Sequence, residues 1–455
     1  MKQTSFLRTV AGIAIPVGLQ SMLQSSFSMI DQLMVGQLGA TAVAAVEVAS
    51  RPSFIYTMAA GAVATAAGIM ISQYLGMQDR VMADRSLSVN LTAAALLAGA
   101  FMALCLLFPE QIVRIFIEDD PAVLTPGRDY LLRISWTYLP MGLSSVLAVM
   151  IRCRGRAVWP LAAGAASAAV NTALNYALIF GRFGLPALGV AGAATASVVS
   201  QLVNLLLIAV MFCRLRAGEE GFRLSLALGR TAWRQYIWML LPILVNEILW
   251  SVGQNVNTFL YGHIGTAELA AMSITGPVQG LFTGAMSGVS QAAGILVGRR
   301  LGAGEYGEAY AESKKLMGYG FAGSVALSLI LICLRGPYVQ LYRVEPSTRA
   351  VASLLLFVFA VLAPVKVANM ILGGGILRSG GRTGYILAIE MGATWLVGAP
   401  LGLVTAFVFR LPIQWVYFIL SQEELVRLVL TGLLFRSRRW MTSLAGGGDQ
   451  PSSLT

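Results

Sequence analysis

Charge is what this sequence has least of. Only 12% of its 455 residues are Asp, Glu, Lys or Arg, about half the share of a soluble chain. There is one histidine, and cysteine is confined to four positions. Cys105, Cys153, Cys213 and Cys333 fall in or at the ends of apolar segments. They have neither metal-ligand spacing nor a disulfide framework and read as small buried hydrophobes. No Walker sequence occurs, which argues against an ATP-driven pump and a bound nucleotide. Gly302-Ala303-Gly304-Glu305-Tyr306-Gly307 formally fits a dinucleotide fingerprint. It follows an apolar helix and no strand, so the match is rejected. The N-terminus lacks the form of a cleavable signal peptide, because its apolar run is too long and contains Asp31.

What is present is apolar surface. Hydrophobic residues make up 57% of the chain and its mean hydropathy is +0.73. Runs long enough to cross a bilayer recur from end to end, so the fold class is an all-α polytopic membrane protein. Twelve spans are predicted, near 9–37, 42–75, 86–108, 127–151, 157–181, 187–213, 235–262, 268–298, 313–334, 350–377, 384–409 and 411–435. The longest polar connection contains Gly218, Glu219, Glu220, Gly221 and Arg223. It divides a lobe at 1–214 from a lobe at 235–440, with a linker at 215–234 and a disordered tail at 441–455. The net charge of +11 is concentrated in alternate loops and near both termini, Lys2 included. By the positive-inside rule both termini are cytoplasmic, and nucleic acid is not an expected partner.

Asp31 is the only ionisable group between Thr9 and Leu38. A carboxylate there costs about 2.5–3.5 kcal/mol on insertion scales, so a function is expected of it. Gln20, Gln24, Ser28 and Asp31 share one helical face, which predicts a surface turned to protein or to a wet cavity.

An internal repeat organises the rest. Pro16 and Pro242 stand 226 residues apart, and the same offset pairs Gly36 with Gly262 and Gly39 with Gly265. It also pairs Ala66-Ala67-Gly68-Ile69 with Ala292-Ala293-Gly294-Ile295, Leu75-Gly76 with Leu301-Gly302, and Gly155-Arg156 with Gly381-Arg382. Six spans per repeat is an even number, so both halves enter the membrane in the same sense. The expectation is two pseudo-symmetric six-helix lobes about an axis along the membrane normal, an arrangement suited to alternating access.

Met29-Ile30-Asp31 with Val35-Gly36 and Leu38-Gly39, and Asn246-Glu247 with Trp250 and Tyr261-Gly262, resemble the first and seventh spans of multidrug and toxin extrusion (MATE) transporters of bacterial type. Gly189-Val190-Ala191-Gly192-Ala193-Ala194 and Leu377-Arg378 before Gly380-Gly381 are similar as well. The resemblance implies a non-enzymatic antiporter, without cofactor, in the bacterial inner membrane. It would export organic, hydrophobic, cationic compounds in exchange for H⁺ or Na⁺, and it is expected to be a monomer. It also implies a cation site in the N-terminal lobe at Asp31, Asn171, Asn175 and Thr195. Two departures stand out. Asn175 is an amide where some relatives have an aspartate, and Arg382 replaces an acid after two glycines.

Asn171 and Asn175 are spaced i, i+4 with Ser167 one turn earlier, making a polar strip on one helix face. Carboxylate, amide and hydroxyl oxygens together make a hard-oxygen set that suits Na⁺, and a desolvated carboxylate can instead carry a proton. In the second half Glu247, Gln254, Asn257, Glu390 and Lys366 are the candidates for substrate or coupling ion, with Gln24 in the first. Lys366 needs a partner in the membrane, and Glu247 or Glu390 is the expected one. Glu47 and Arg51 read as a structural i, i+4 pair. The alternative function is a lipid-linked oligosaccharide or lipid flippase of the same repeat layout. Such a protein favours an Arg- and Lys-rich cavity, whereas the intramembrane charges here read as acidic apart from Lys366.

Overall fold

The computed structural model describes residues 3–115, 121–217, 225 and 230–444. Lys2, the linker residues Gly218–Gly221 and Arg223, and the tail from 445 onward lie outside the described residues. The described chain is helical throughout, with no strand. The first half runs α1 (Gln3–Gly36), α2 (Ala40–Ala49), α3 (Arg51–Gly76), α4 (Arg80–Leu107), α5 (Pro109–Arg114), α6 (Pro121–Ile134), α7 (Tyr138–Cys153), α8 (Val158–Phe180) and α9 (Val190–Leu215). The second runs α10 (Arg230–Ile264), α11 (Thr266–Gly302), α12 (Tyr306–Gln340), α13 (Pro346–Asn369), α14 (Thr383–Met391), α15 (Ala399–Leu403), α16 (Ile413–Leu420) and α17 (Glu423–Arg436).

Ten helical stretches among the described residues are long and apolar enough to cross a membrane. The remaining two of the twelve predicted spans are present in less apolar form. The fifth is α8, whose Asn171, Asn175 and many small residues dilute its hydropathy. The twelfth is broken into α16 and α17. Large apolar side chains such as Leu33, Leu96, Leu206 and Leu329 are exposed, as they are where lipid is the solvent. Cys105 and Cys153 are buried as expected, but Cys213 and Cys333 are exposed on such apolar faces.

The chain forms two compact units that do not follow the sequence halves. One comprises Met22–Ile71 and Arg80–Leu228. The other joins Met1–Ser21 and Ser72–Asp79 to Gly229–Thr455. The linker also ends sooner than expected, since α10 begins at Arg230.

Within the second of these units the repeat is visible as a reciprocal contact. A Cβ on Gly76 would run into the carbonyl oxygen of Arg299, and a Cβ on Gly302 into that of Gln73. The 226 offset exchanges Gly76 with Gly302 and Gln73 with Arg299, so the two contacts are images of one another, as in a two-fold crossing. Only glycine lets the backbones approach this closely.

Residues 441–444, expected to belong to a disordered tail, are held in place. Trp440 is 1% exposed and stacks on Phe435, which stacks in turn on Tyr310. The fully buried Gln73 holds the following residues. Its Nε2 donates to the Ser379 carbonyl at 2.6 Å and the Thr442 carbonyl at 3.3 Å, and its Oε1 accepts the Leu444 N–H at 2.8 Å.

Candidate functional site

α8 and α9 are rich in Ala, Gly and Ser, and Gly192 makes their close approach possible. A Cβ there would lie 2.6 Å from the Leu178 carbonyl oxygen. This packing buries the amide strip of α8. Ser167 donates to the Ser200 carbonyl at 2.6 Å, and Asn171 and Asn175 are 8% and 1% exposed.

Asp31 of α1 meets that strip. Asn175 Nδ2 donates to Asp31 Oδ1 at 2.6 Å and to Asn171 Oδ1 at 3.1 Å. With its amide turned over, Asn171 donates to both Asp31 oxygens, at 2.9 and 3.1 Å. Among the described residues no Lys, Arg or His pairs with Asp31. Asn175 Oδ1 is buried without a donor, and so is the Thr172 hydroxyl one turn away. A half-buried carboxylate and two amides, one of them with an orphaned carbonyl oxygen, are thus collected within one unit. Such a set can take up a proton or a small hard cation.

The Thr195 hydroxyl donates back to Ala191 of its own helix at 2.8 Å and makes no hydrogen bond to Asp31, Asn171 or Asn175 among the described residues. Ser197 and Ser200, which the sequence reading did not name, are the α9 hydroxyls that lie 3.4 Å from Asn171 Nδ2. Gln24 and Gln254 are exposed and Asn257 half-buried, and none of their side chains hydrogen-bonds among the described residues.

The acidic residues of the second half are held differently. Arg378 lies between two of them, with Nη1 3.4 Å from Glu247 Oε1 and Nη2 3.6 Å from Glu390 Oε1. The expected partner, Lys366, pairs with neither. It stands within electrostatic reach of Glu423 instead. The physical reason is that the tenth span does not stop at 377. It continues beyond α13 as a wide π-helical stretch, Met370–Leu377, and a tight turn, Arg378–Gly380, so Arg378 belongs to the span and not to a loop. A second arginine, Arg427 of α17, lies 3.7 Å from Glu423, 3.4 Å from Glu424 and 3.0 Å from the Thr394 hydroxyl. Asn369 completes the network by donating to Glu424 Oε2 at 2.7 Å. Arg378, Arg427, Glu423 and Glu424 were all missed as intramembrane charges. The bare count of "acidic apart from Lys366" is therefore corrected to four carboxylates facing three cations. The Glu47–Arg51 pair is present at 2.7 Å on the surface.

The MatE family model matches twice, over residues 16–177 and 242–431, and its two starting points are the Pro16 and Pro242 of the repeat. This chain belongs to the MATE family of transporters. A probable multidrug resistance protein NorM of Rhizobium meliloti is 29% identical over 436 residues, 93% of the MATE chain described here and 91% of its own length. A protein of the same description from Agrobacterium fabrum is 26% identical over 412 residues, 89% of this chain and 88% of its own. The fold matches the MATE transporter VcmN of Vibrio cholerae in its bent form with a TM-score of 0.86, at 15% identity, covering 96% and 99% of the two chains. It matches a MOP superfamily transporter from Pyrococcus furiosus, described as having a binding pocket of reverse polarity, with a TM-score of 0.85 at 16% identity, covering 96% and 98%. These likenesses establish the fold of twelve spans in two six-helix repeats.

Proposed function

We propose that this MATE chain is a secondary antiporter that exports organic, hydrophobic, cationic compounds in exchange for H⁺ or Na⁺. Asp31 is the group that loads the ion. The observation that carries this reading is that Asp31 faces Asn171 and Asn175 with no cationic partner among the described residues, while Asn175 Oδ1 has no donor. The names of the relatives, multidrug resistance proteins, support the substrate side.

The Asn171 amide supplies a local two-state element. Against a bare carboxylate its NH₂ faces Asp31 and donates to both oxygens. Once a proton sits on the carboxyl, or Na⁺ sits among the oxygens, the amide carbonyl is the better face, because it can accept that proton or ligate that ion. Loading then changes the hydrogen bonds between α1 and α8, and alternating access follows when that change biases one arrangement of the transporter over another. One charge moving inward contributes about 2.3 kcal/mol per 100 mV, enough for roughly a 50-fold substrate gradient if the cycle stays electrogenic. The chain would work as a monomer in the bacterial cytoplasmic membrane with both termini cytoplasmic.

Arg378 and Arg427 bring positive charge into the second unit, which is what a flippase reading asks for. Each is engaged by two carboxylates, however, and Glu247, Glu390, Glu423 and Glu424 outnumber Arg378, Arg427 and Lys366. The cluster stays net negative and favours cationic cargo. The test is efflux of a cationic dye from everted membrane vesicles. Asp31→Asn should reach wild-type protein levels and lose dye movement driven by an imposed Na⁺ or pH gradient; undiminished gradient-driven movement would refute the assignment.

A further inference from the structure

A cavity in the second unit is separate from both charged clusters. It measures about 910 Å³ and lies within the second unit, between the start of α10, the turn before α14 and the strap 441–444. This volume falls inside the roughly 300–1,000 Å³ range of ligand pockets. Trp238, Gln235, Tyr306 and Tyr385 line it, and Arg382 is its only charged lining residue. Among the described residues the Arg382 side chain makes no ion pair, hydrogen bond or ring contact. Its counterpart under the 226 offset, Arg156, is by contrast stacked on Trp159 at 5.7 Å. The counterpart of Trp159 is Tyr385, which is 44% exposed. The second half therefore keeps the guanidinium and an aromatic ring but leaves them apart, on the wall of a cavity.

The depth of this cavity narrows the choice of occupant. Trp238 lies eight residues after the start of α10, about 12 Å along its axis, and is 67% exposed. Tyr385 is in the first turn of α14. Exposed Trp and Tyr near span ends lie at headgroup depth. The neighbouring chain ends, with Arg230, Arg234 and Arg382, belong to the basic side of the sequence. A basic pocket between spans on the cytoplasmic side has the chemistry of an anionic headgroup site.

We propose that this cavity binds the headgroup of an anionic phospholipid of the inner leaflet, with its phosphate on Arg382 and its glycerol and acyl region against Trp238 and Tyr385. The proposal does not depend on the ion-loading role of Asp31. It is tested on the purified full chain in detergent by native mass spectrometry with phosphatidylglycerol and phosphatidylcholine in competition. The first phosphatidylglycerol should bind about fivefold or more tightly than phosphatidylcholine. Arg382→Gln should abolish the preference, Arg382→Lys should retain most of it, and Arg156→Gln, whose side chain is already stacked, should leave it intact. The proposal is overturned if wild type shows no preference, or if Arg156→Gln loses it as fully as Arg382→Gln. It is overturned as well if inorganic phosphate displaces the lipid at equal concentration, which would mark a soluble anion as the occupant. Ending the chain at Ala445 is the last arm: tighter lipid binding by that variant would show that the chain's own end fills the cavity and would sink the proposal.

Discussion

Removing Arg378 should damage the second unit more than removing either acid it serves. The guanidinium stands 3.4 Å from Glu247 and 3.6 Å from Glu390, with side-chain exposures of 12%, 26% and 20% for Arg378, Glu247 and Glu390. At an effective dielectric constant of about 20, a charge pair at 3.4 Å attracts by roughly 5 kcal/mol before desolvation is counted. Breaking a buried pair from one side costs about 3–5 kcal/mol, because the abandoned charge stays behind. Arg378→Gln abandons two carboxylates, so about 3 kcal/mol or more should be lost. For a unit of this size that corresponds to roughly 6–12 °C in Tm. Glu247→Gln leaves Arg378 still paired with Glu390 and should cost only about 1 kcal/mol. The triple variant Arg378→Gln, Glu247→Gln, Glu390→Gln removes every charge together and should regain most of the loss. Thermal unfolding of the purified variants followed by size-exclusion chromatography measures all three. Equal stability of wild type and Arg378→Gln, or a Glu247→Gln defect exceeding that of Arg378→Gln, would refute the reasoning.

Two further outcomes follow from the close-packed end of the second unit. Gly302→Ala and Gly76→Ala each drive a methyl group into a carbonyl oxygen of the facing helix. Overpacking of this kind costs about 1–3 kcal/mol, and the reciprocal geometry predicts similar Tm losses for the two; a loss in one variant alone would deny the two-fold contact. Gln73→Ala removes the three hydrogen bonds that hold Ser379, Thr442 and Leu444. It should open the strap after Trp440 to limited proteolysis at least tenfold faster, and an unchanged cleavage rate would show that the stacked Trp440 alone secures it.

The candidate ion site was legible because its parts break local rules. A carboxylate in an apolar run of some 30 residues has no bland explanation in the sequence itself, and two amides at i, i+4 can only face one way on a helix. Glycines at a fixed offset likewise announced the repeat, and the structure turns Gly76 and Gly302 into reciprocal contacts. What stayed hidden depended on where helices end. The predicted tenth span stops at Leu377 and leaves Arg378 outside it, whereas a π-helical stretch followed by a tight turn carries the span to Gly380. Glu423, Glu424 and Arg427 fall inside the predicted span 411–435 without being singled out there; the structure breaks that span after Leu420 and puts them at the start of α17. Thr195 rested on the family resemblance alone, and its hydroxyl turns back to its own helix.

The central claim is that Asp31 is a loadable carboxylate, whereas the acids of the second unit are already answered by arginine. Counting ions bound at equilibrium by the purified chain tests it most directly, with ²²Na⁺ uptake at neutral pH or proton uptake in unbuffered solution on acidification. Wild type and Glu247→Gln should each bind one ion per chain that Asp31→Asn does not. Binding that survives Asp31→Asn but vanishes in Glu247→Gln would contradict the account.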